Sequence, residues 1–560
     1  MQDSLQQRKK RILLVSEYSE LNTGFAVMAK DLLAKLHACG KYEVAELASY
    51  VEETDPRLKE TPWKVYPVIP SNPEERQIYN EQYKTAQFGH YRFDRAVLDF
   101  KPDIVFSYRD FWHDEWITKM PSRYLFNYVW SACVDSEPPR SEWIGTFSTV
   151  DKMTSYSDWG LSVLKEYSGN KMAIANHNVM PGVNLDIFKP MSKNEVRGIL
   201  GIKEDINIVL TVMRNQPRKL FPDLMKAFHD AIQEWKLNGR KDLADSTYLY
   251  LHTSYPDVGF DIGKDIIKYK LGSKVIMTYC CNNCGNYFAS FFSGEVCSCT
   301  KCGNYTAHPP NTAQGLTREQ LATVYNSADL YCQLSIAGAL EIPLIEAKAC
   351  GIPTIASDYA AMYELNRMGG SYAPIEIAAW REESDKETGQ VRAIPSVSSC
   401  SKNIVNFFQE ESSTRDSLSL EALSTARTKH DNELTYEKWS SIFDELPLLD
   451  EGRWQASPIE ITLNVDELLS IENDEDFISY IVKGFAPPKT SYRSYLAEKE
   501  LLMNLKAKVR MEDNKTRRFD RNDVMAVFKS LSNNFNIFEQ FRFNLCNNLT
   551  PKDKILVEVV

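Results

Sequence analysis

The sequence lacks several features that mark common classes of protein. It has no run of 18 apolar residues and no apolar segment of signal-peptide length near its start. It also lacks a Walker phosphate loop and a G-x-G-x-x-G pattern, so the sequence does not support a nucleotide-hydrolysing enzyme of the P-loop type. Its eight histidines are dispersed, with none paired at metal-ligand spacing. We therefore expect a soluble, cytoplasmic protein without a membrane span.

Charge and cysteine content exclude two further classes. A formal net charge of −11 argues against a protein that coats nucleic acid by bulk charge, although a local basic surface remains compatible with it. Twelve cysteines in 560 residues are too few for a secreted disulfide scaffold. Six of these cysteines lie between Cys280 and Cys302, and such crowding in a reducing compartment points to a metal.

The order of predicted elements indicates an α/β protein with two similar halves. In the first half, "RILLVS", "EVAELASY", "PDIVFSY", "YLFNYVW" and "KMAIANHNV" read as strands, and "FAVMAKDLLAKLHA" has helical spacing. The pattern restarts at "INIVLTVM", followed by a helix and by strands at "TYLYLHT", "SKVIM", "ADLYCQL" and "IPTIAS". Such alternation predicts two doubly wound parallel sheets that face a cleft, with ligands at the carboxyl ends of the strands.

Composition divides the chain into three parts. We predict a first Rossmann-like domain over residues 1–190, a second over 191–450, and a largely helical extension over 451–560. The extension has seven acids and no base between Glu460 and Asp476, whereas eleven Lys/Arg stand against five Asp/Glu from Lys483 to Arg521.

The stretch "CNNCGNYFASFFSGEVCSCTKCGN" predicts a metal site. It contains two matching knuckles, Cys281-x-x-Cys284 followed by Gly285 and Cys299-x-x-Cys302 followed by Gly303. Four thiolates suit a structural zinc ion with no open coordination position. We therefore predict a zinc ribbon at about residues 278–306, with Cys280 and Cys297 as spare thiols. The ribbon either staples a long loop or presents a surface to a polymer.

Basic residues follow the first strand of the second half. Arg214 and Lys219 lie five positions apart, between the end of a strand and the start of a helix. Two cations beside a helix N-terminus form a site for a diphosphate, although basic residues at strand ends are more often simply solvated.

Several motifs together resemble one family. They are "NTGFAVMAKDL", "VDSEPPRSEW" followed by "MTSYSDWGLSVL", "MPGVNLDIFKP", "RNQPRK" and "IPLIEAKACGIPTIASD". Between Ile12 and about Leu365 the chain resembles the retaining glycosyltransferases of family 4, which have the GT-B fold. The cysteine insertion and "DYAAMYEL" resemble a branch found in bacteriophage genomes, which would place the protein in the host cytoplasm.

The resemblance implies a donor site, with one departure from the family pattern. The family carries two glutamates separated by seven residues, and Glu346 matches the second, which binds ribose hydroxyls. Gly338 stands where the first glutamate belongs, and Ala339, Leu340 and Glu341 replace the usual Gly-Phe-Gly. Either Glu341 does the work of the lost residue, or the sugar is held differently, or activity is lost. Both glutamates also suit the polar rim of a helix.

The resemblance further implies a mechanism without a nucleophile triad or a catalytic metal. Arg214, Lys219 and N–H groups around Gly338 and Gly24 would stabilise the departing diphosphate of a nucleotide diphosphate sugar. Asp135 would orient the acceptor hydroxyl, although an aspartate in such a loop also serves as a turn residue.

Three functions follow from these observations. The first is an active transferase whose acceptor is a hydroxylated base in phage DNA, or otherwise a protein or glycan. The second is a nucleotide-sugar-binding scaffold with impaired catalysis, and the third is a nucleic-acid-binding protein that uses the ribbon and the basic segment. The oligomeric state and the donor sugar are not indicated by the sequence.

Overall fold

The computed structural model describes residues 8–311, 314–384, 389–454, 461–463 and 557–559. Most of the predicted helical extension therefore lies outside the described residues, as does the basic segment from Lys483 to Arg521. Within the described part, no helix combines the length and the apolar character that a membrane crossing needs.

The first half of the chain forms a parallel sheet of six strands. These strands are β1 (Lys10–Glu17), β2 (Tyr42–Glu52), β3 (Lys64–Ile69), β4 (Ile104–Ser107), β5 (Asn127–Ala132) and β6 (Lys152–Ser155). Their order in the sheet is β3-β2-β1-β4-β5-β6. Residues 12–15 of β1 are completely buried, which is typical of a parallel strand covered by helices on both faces.

Among the described residues of this half, seven segments are α-helices. They are α1 (Gly24–Ala38), α2 (Pro73–Glu81), α3 (Tyr83–Ala86), α4 (Phe93–Phe100), α5 (Phe111–Asp114), α6 (Ser141–Phe147) and α7 (Asp158–Tyr167). The Thr23 hydroxyl accepts a hydrogen bond from the N–H of Ala26 and so caps α1, the helix that follows the first strand.

The second half is built around five parallel strands of an eight-stranded sheet. Its strands are β7 (Asn207–Val212), β8 (Thr247–His252), β9 (Val275–Cys281), β10 (Tyr287–Phe291), β11 (Cys297–Ser298), β12 (Tyr305–His308), β13 (Leu330–Gln333) and β14 (Thr354–Ala356). The order is β11-β12-β9-β8-β7-β13-β14, and β10 also pairs with β9. The antiparallel strands β10 and β12 carry the cysteine segment, so this segment extends the edge of the sheet.

The remaining elements complete the second half and a small hairpin. The helices are α8 (Lys193–Leu200), α9 (Phe221–Leu237), α10 (Lys241–Ser246), α11 (Ile262–Lys268), α12 (Arg318–Asn326), α13 (Ile342–Ala349), α14 (Ala361–Leu365), α15 (Val397–Gln409), α16 (Ser412–Lys429) and α17 (Asn432–Glu445). Strands β15 (Ile377–Glu382) and β16 (Val391–Pro395) pair antiparallel, and β17 (Ile461–Leu463) pairs parallel with β18 (Val557–Val559).

The last long helix returns to the first sheet. Trp439, Ile442 and Phe443 of α17 are buried in the cluster that contains Ile12 and Leu14 of β1. The chain therefore crosses between the halves twice, and residues 181–190 lie beside the start of α17 through the hydrogen bond from Val183 N to the carbonyl of His430.

The prediction of two doubly wound sheets is confirmed, with one wrong strand. The segment "KMAIANHNV" forms only an isolated bridge between Ile174 and Met153. It runs along the edge of β6, where Ala175 N donates to the carbonyl of Met153 at 2.7 Å, and it does not continue as a full strand. Its apolar spacing reflects packing against that edge.

Candidate active site in the cleft between the sheets

The loop after β7 carries the predicted cations. Arg214 is about half exposed and forms a two-point ion pair with Asp257, with Nε 2.8 Å from Oδ2 and Nη2 3.0 Å from Oδ1. Asp257 raises the pKa of Arg214, which therefore stays charged. The ion pair uses Nε and Nη2 of the guanidinium, so Arg214 is oriented while Nη1 takes no part in the pair.

Lys219 does not stand free in the cleft. It is buried, and its Nζ lies 2.5 Å from Oε1 and 2.7 Å from Oε2 of Glu341. Arg218, which is about half exposed, brings Nη1 to 3.6 Å from the same Oε1. Burial and the neighbouring Arg218 lower the pKa of Lys219 to about 8, and Glu341 opposes this shift. Lys219 therefore stays protonated near neutral pH, in a buried ion pair.

Glu341 also occupies the space beside Gly338. A Cβ added at Gly338 would lie 2.2 Å from Oε1 of Glu341, far inside van der Waals contact. Ala339 and Leu340, between them, pack against the apolar cluster of the first half. Glu341 therefore places its carboxylate where the side chain of residue 338 would begin.

Glu346 lies on α13 and lines a small cavity between the halves. Its Oε2 accepts a hydrogen bond of 2.7 Å from the hydroxyl of Tyr325. Burial raises the pKa of Glu346 to about 7. The cavity wall includes Asp31 of α1, Gly182 of the crossover and Arg318 of α12, together with Glu346. Arg318 is ion-paired with Asp31 at 2.8 Å, so this pair joins the two halves beside Glu346.

The first half contributes a loop and a carboxylate to the facing side. Gly24 begins α1, and a Cβ there would meet no atom within 4 Å, so its backbone borders open space. Glu17 ends β1 and accepts a hydrogen bond from the Thr23 hydroxyl. Burial raises the pKa of Glu17, while the charges of Arg109 and Arg214 oppose that shift. Glu17 of the first half thus lies within electrostatic reach of Arg214 of the second.

Asp135 joins the two halves. Its Oδ2 lies 2.8 Å from Nη1 of Arg392 on β16, and the Arg392 side chain is buried. Asp110 lies close enough to Asp135 to be affected by its charge. Burial together with the Asp135 charge raises the pKa of Asp110 to about 6, whereas the charge of Arg218 lowers it. Asp135 therefore contacts Arg392 of the second half, and Asp110 lies within electrostatic reach of Arg218.

Sequence reasoning missed Glu17, Asp110 and Arg392. The position of Glu17 and Asp110 just after strands β1 and β4 was a usable signal, because ligands bind at the carboxyl ends of parallel strands. Arg392 lies on a hairpin and contacts Asp135, which is 257 positions away in the chain. No local sequence pattern predicts a contact at such a separation.

The four predicted cysteines converge. The sulfur atoms of Cys281, Cys284, Cys299 and Cys302 all lie within 4.8 Å of one another. Cys281 to Cys302 and Cys284 to Cys299 are each 3.7 Å apart. Sulfurs bound at about 2.3 Å to a tetrahedral zinc ion lie about 3.8 Å from each other. The spacing therefore fits zinc, whereas a disulfide needs sulfurs about 2 Å apart.

The knuckle backbone supports the same geometry. Gly285 and Gly303 have φ of +67° and +72°, a conformation that glycine adopts without strain. The N–H of Lys301 donates to the sulfur of Cys299 at 3.4 Å. Cys280 and Cys297 stay outside the group of four. The four predicted zinc ligands thus lie together at the carboxyl end of β9. Arg214 follows the carboxyl end of the parallel strand β7, so both lie at the same end of the strands.

The fold and this cleft define a GT-B architecture. Sucrose-phosphate synthase from Thermosynechococcus elongatus aligns with a TM-score of 0.53 at 16% identity, covering 78% of this chain and 99% of that structure. An Anabaena protein in complex with UDP-glucose aligns with a TM-score of 0.50 at 12% identity, covering 78% and 100%.

Sequence comparison reaches part of the chain. Residues 311–382, which include Gly338, Glu341 and Glu346, match the family model for glycosyl transferases group 1. A D-inositol 3-phosphate glycosyltransferase of Mycolicibacterium smegmatis is 27% identical over 179 residues, which cover 32% of this chain and 31% of the relative. The aligned region thus spans less than a third of the curated relative.

Proposed function

We propose that the protein transfers a sugar from a nucleotide diphosphate sugar to a hydroxyl acceptor. One observation carries the proposal: Arg214, Arg218 and Lys219 follow β7 at its carboxyl end, and Arg218 and Lys219 pair with Glu341 of the Gly338–Glu341 loop. That loop lies within the span that matches the glycosyl transferase family. The Anabaena structure of the same fold contains UDP-glucose, which supports the choice of donor class.

The donor diphosphate would lie against the exposed arginines. Arg214 is held by Asp257 and Arg218 is about half exposed, so both can turn N–H groups toward phosphate oxygens. Gly24 would bring an open backbone from the opposite side. Glu346 would accept hydrogen bonds from the ribose hydroxyls, since its Oε2 is already oriented by Tyr325.

Glu341 would replace the carboxylate that the family motif has at position 338. Its oxygen fills the space next to Gly338, and Lys219 holds it there through two contacts. A carboxylate at this position can accept hydrogen bonds from hydroxyls of the donor sugar. This arrangement favours an active transferase over a scaffold that has lost the first glutamate.

The transfer step needs charge stabilisation more than a protein nucleophile. The bond between the anomeric carbon and the diphosphate oxygen breaks, and the acceptor oxygen bonds to that carbon on the same face, with retention. The acceptor proton passes to the departing phosphate oxygen. Arg214 and Arg218 would stabilise the charge that develops on this oxygen, and Asp135 and Asp110 would orient the acceptor hydroxyl.

Calorimetric titration with UDP tests the donor site. Arg214→Ala should weaken UDP binding by about 1.5–3 kcal/mol, the range for a charged hydrogen bond. Arg240→Ala is a matched control, because Arg240 is similarly exposed and ion-paired to Asp242 outside the cleft. Equal UDP affinities of the parent protein and the Arg214 variant would contradict the proposed role of Arg214 in binding the donor diphosphate.

Product analysis tests transfer and its stereochemistry. With an α-linked nucleotide sugar, NMR of the product should show an α-linkage, and a β-linkage would contradict retention. Donor binding without turnover on any acceptor would favour the scaffold function.

The specific acceptor that we propose is a hydroxylated base in phage DNA. Its support is the sequence resemblance together with the basic segment from Lys483 to Arg521, which includes Lys506, Lys508, Arg510, Lys515, Arg517 and Arg518. Sugar incorporation into hydroxymethylated DNA but not into unmodified DNA is the expected result. DNA binding without sugar transfer would favour the nucleic-acid-binding function, and transfer to a protein or glycan would decide against DNA.

A further inference from the structure

Aromatic rings surround the carboxyl ends of β1, β2 and β4 on the first half of the cleft. The ring of His113 lies 4.5 Å from that of Phe88 and 6.2 Å, edge to face, from that of Phe25. Tyr50 lies edge to face with Phe88 at 6.3 Å. We call Phe25, Tyr50, Phe88 and His113 the ring cluster. Phe25, Phe88 and His113 are partly buried and Tyr50 is exposed, so part of the cluster is accessible to solvent.

The backbone at Tyr50 supports a ligand-facing role for the cluster. Tyr50 has φ of +65°, a left-handed conformation that is unusual for a bulky residue. The pairing of β2 with β3 is also irregular between Ala48 and Glu52. Strained residues of this kind concentrate at ligand sites.

Two carboxylates and the guanidinium of Arg109 lie beside the ring cluster. Glu17 ends β1, and Asp110 precedes α5 with an oxygen 4.0 Å from Nδ1 of His113. Burial and the charge of Arg109 lower the pKa of His113 to about 3, so its ring is neutral. Arg109 itself is 1% exposed and is bonded to Asp114, Ser49 and the carbonyl of Phe88. Arg109 therefore packs on the buried side of the cluster, where its guanidinium is bonded to other groups of the protein and is not accessible to a ligand.

Besides Arg109, two cations of the second half act on these carboxylates. Arg214 acts electrostatically on Glu17, and Arg218 acts on Asp110. In the proposed function both arginines hold the donor diphosphate. A phosphate on the acceptor would then meet Glu17, Asp110 and aromatic rings, with the nearest arginines already engaged.

We propose that the ring cluster, with Glu17 and Asp110, binds an acceptor that is a neutral, flat-faced ring bearing a hydroxyl group, and that it discriminates against acceptors with a phosphate attached to the ring that enters the cluster. The proposal rests on the proposed function for the assignment of the arginines to the donor. A pyranose or a hydroxymethylated nucleobase has this chemistry: its face packs on the aromatic rings while its hydroxyl donates to a carboxylate.

Direct binding in the presence of saturating UDP tests the proposal without requiring turnover. The neutral probes are methyl β-D-glucopyranoside and 5-hydroxymethyl-2′-deoxyuridine, and the phosphorylated probe is glucose 6-phosphate. At least one neutral probe should bind at least tenfold more tightly than glucose 6-phosphate. The better neutral probe distinguishes a sugar from a nucleobase.

Variants then connect the preference to the named residues. Phe25→Leu and Phe88→Leu should each lower the affinity for the neutral probe at least fivefold without changing the dissociation constant of UDP. Phe291→Leu is the matched control, because Phe291 is 45% exposed and pairs with Ile276 at the start of β9, away from the cleft. Glu17→Gln should reduce the difference in affinity between the phosphorylated and the neutral probe. A purely structural role of Glu17 would not produce this effect.

The outcomes separate this inference from the proposed function. Equal or tighter binding of the phosphorylated probe, no binding of either neutral probe, or unchanged binding in both phenylalanine variants would overturn the ring-acceptor site. Failure of UDP itself to bind would contradict the proposed donor function.

Discussion

Lys219 and Glu341, 122 positions apart in the chain, form a buried ion pair with Nζ 2.5 Å from Oε1. Removing one partner leaves the other charge buried without compensation. Glu341→Ala should therefore lower the free energy of unfolding by about 3 kcal/mol. In a domain of this size that loss corresponds to a fall in Tm of about 6–12 °C, measurable by calorimetry.

An exposed pair of the same chemistry provides the control for this change. Lys226 and Asp230 are paired on the surface of α9, with partly exposed side chains. Asp230→Ala should change stability by about 0.5 kcal/mol or less. A loss for Glu341→Ala no larger than this would show that the buried pair is unimportant.

Gly338→Ala tests the packing of Glu341. The added Cβ would lie 2.2 Å from Oε1, so Glu341 must move away from Lys219. We expect destabilisation and weaker UDP-glucose binding in the single variant. Because Glu341→Ala removes the obstructing carboxylate, the double variant should be more stable than the sum of the single effects predicts. Strict additivity in a double-mutant cycle would contradict the contact.

Glu346 should make donor binding dependent on pH. Its pKa is raised to about 7, and the ionised form is the better acceptor for ribose hydroxyls. UDP-glucose affinity should therefore be constant above about pH 8 and fall roughly tenfold as the pH decreases one unit below the pKa. UDP-glucose suits this measurement because it carries no terminal phosphate that titrates in the same range. Glu346→Gln should give a flat profile, and an unchanged slope in that variant would assign the dependence elsewhere.

The cysteine cluster should hold one zinc ion per chain. Elemental analysis of the purified protein should find this stoichiometry, and the combined Cys281→Ser and Cys302→Ser variant should lose the metal and show a lower Tm. Cys280→Ser and Cys297→Ser are matched controls that should retain zinc, since both residues lie outside the group of four. Metal retained in the double ligand variant would refute the assignment.

His430 should contribute to acid sensitivity. It is 1% exposed, and burial together with the charges of Lys348, Lys438 and Lys429 lowers its pKa to about 3. Because an unfolded histidine titrates near 6.5, the unfolded chain takes up more protons as the pH falls, and the fold loses about 2 kcal/mol between pH 7 and pH 5 from this group.

His430→Gln should accordingly reduce the loss of stability between pH 7 and pH 5. His37→Gln, at an exposed position on α1, should leave the pH dependence of the parent protein unchanged. Identical pH profiles for the parent and the His430 variant would contradict the assignment.

Elements with strong local patterns were predictable from the sequence. The buried runs of β1 and β7 and the apolar spacing of α1 and α9 each follow from contacts made within one element and one layer. The hairpin β15–β16 was missed, because its six-residue first strand is mostly exposed and shows no buried face.

The sequence by itself determined the two-sheet architecture and the four cysteines that converge, because both depend on short-range spacing along the chain. It left open where the Glu341 carboxylate lies relative to Gly338, and it did not show that Asp135 pairs with Arg392. Only the tertiary structure decided these points, since each depends on the distance between side chains from separate elements: Glu341 with Lys219, and Asp135 with Arg392 across the cleft. Such distances are set by how the two sheets pack, which no local pattern records.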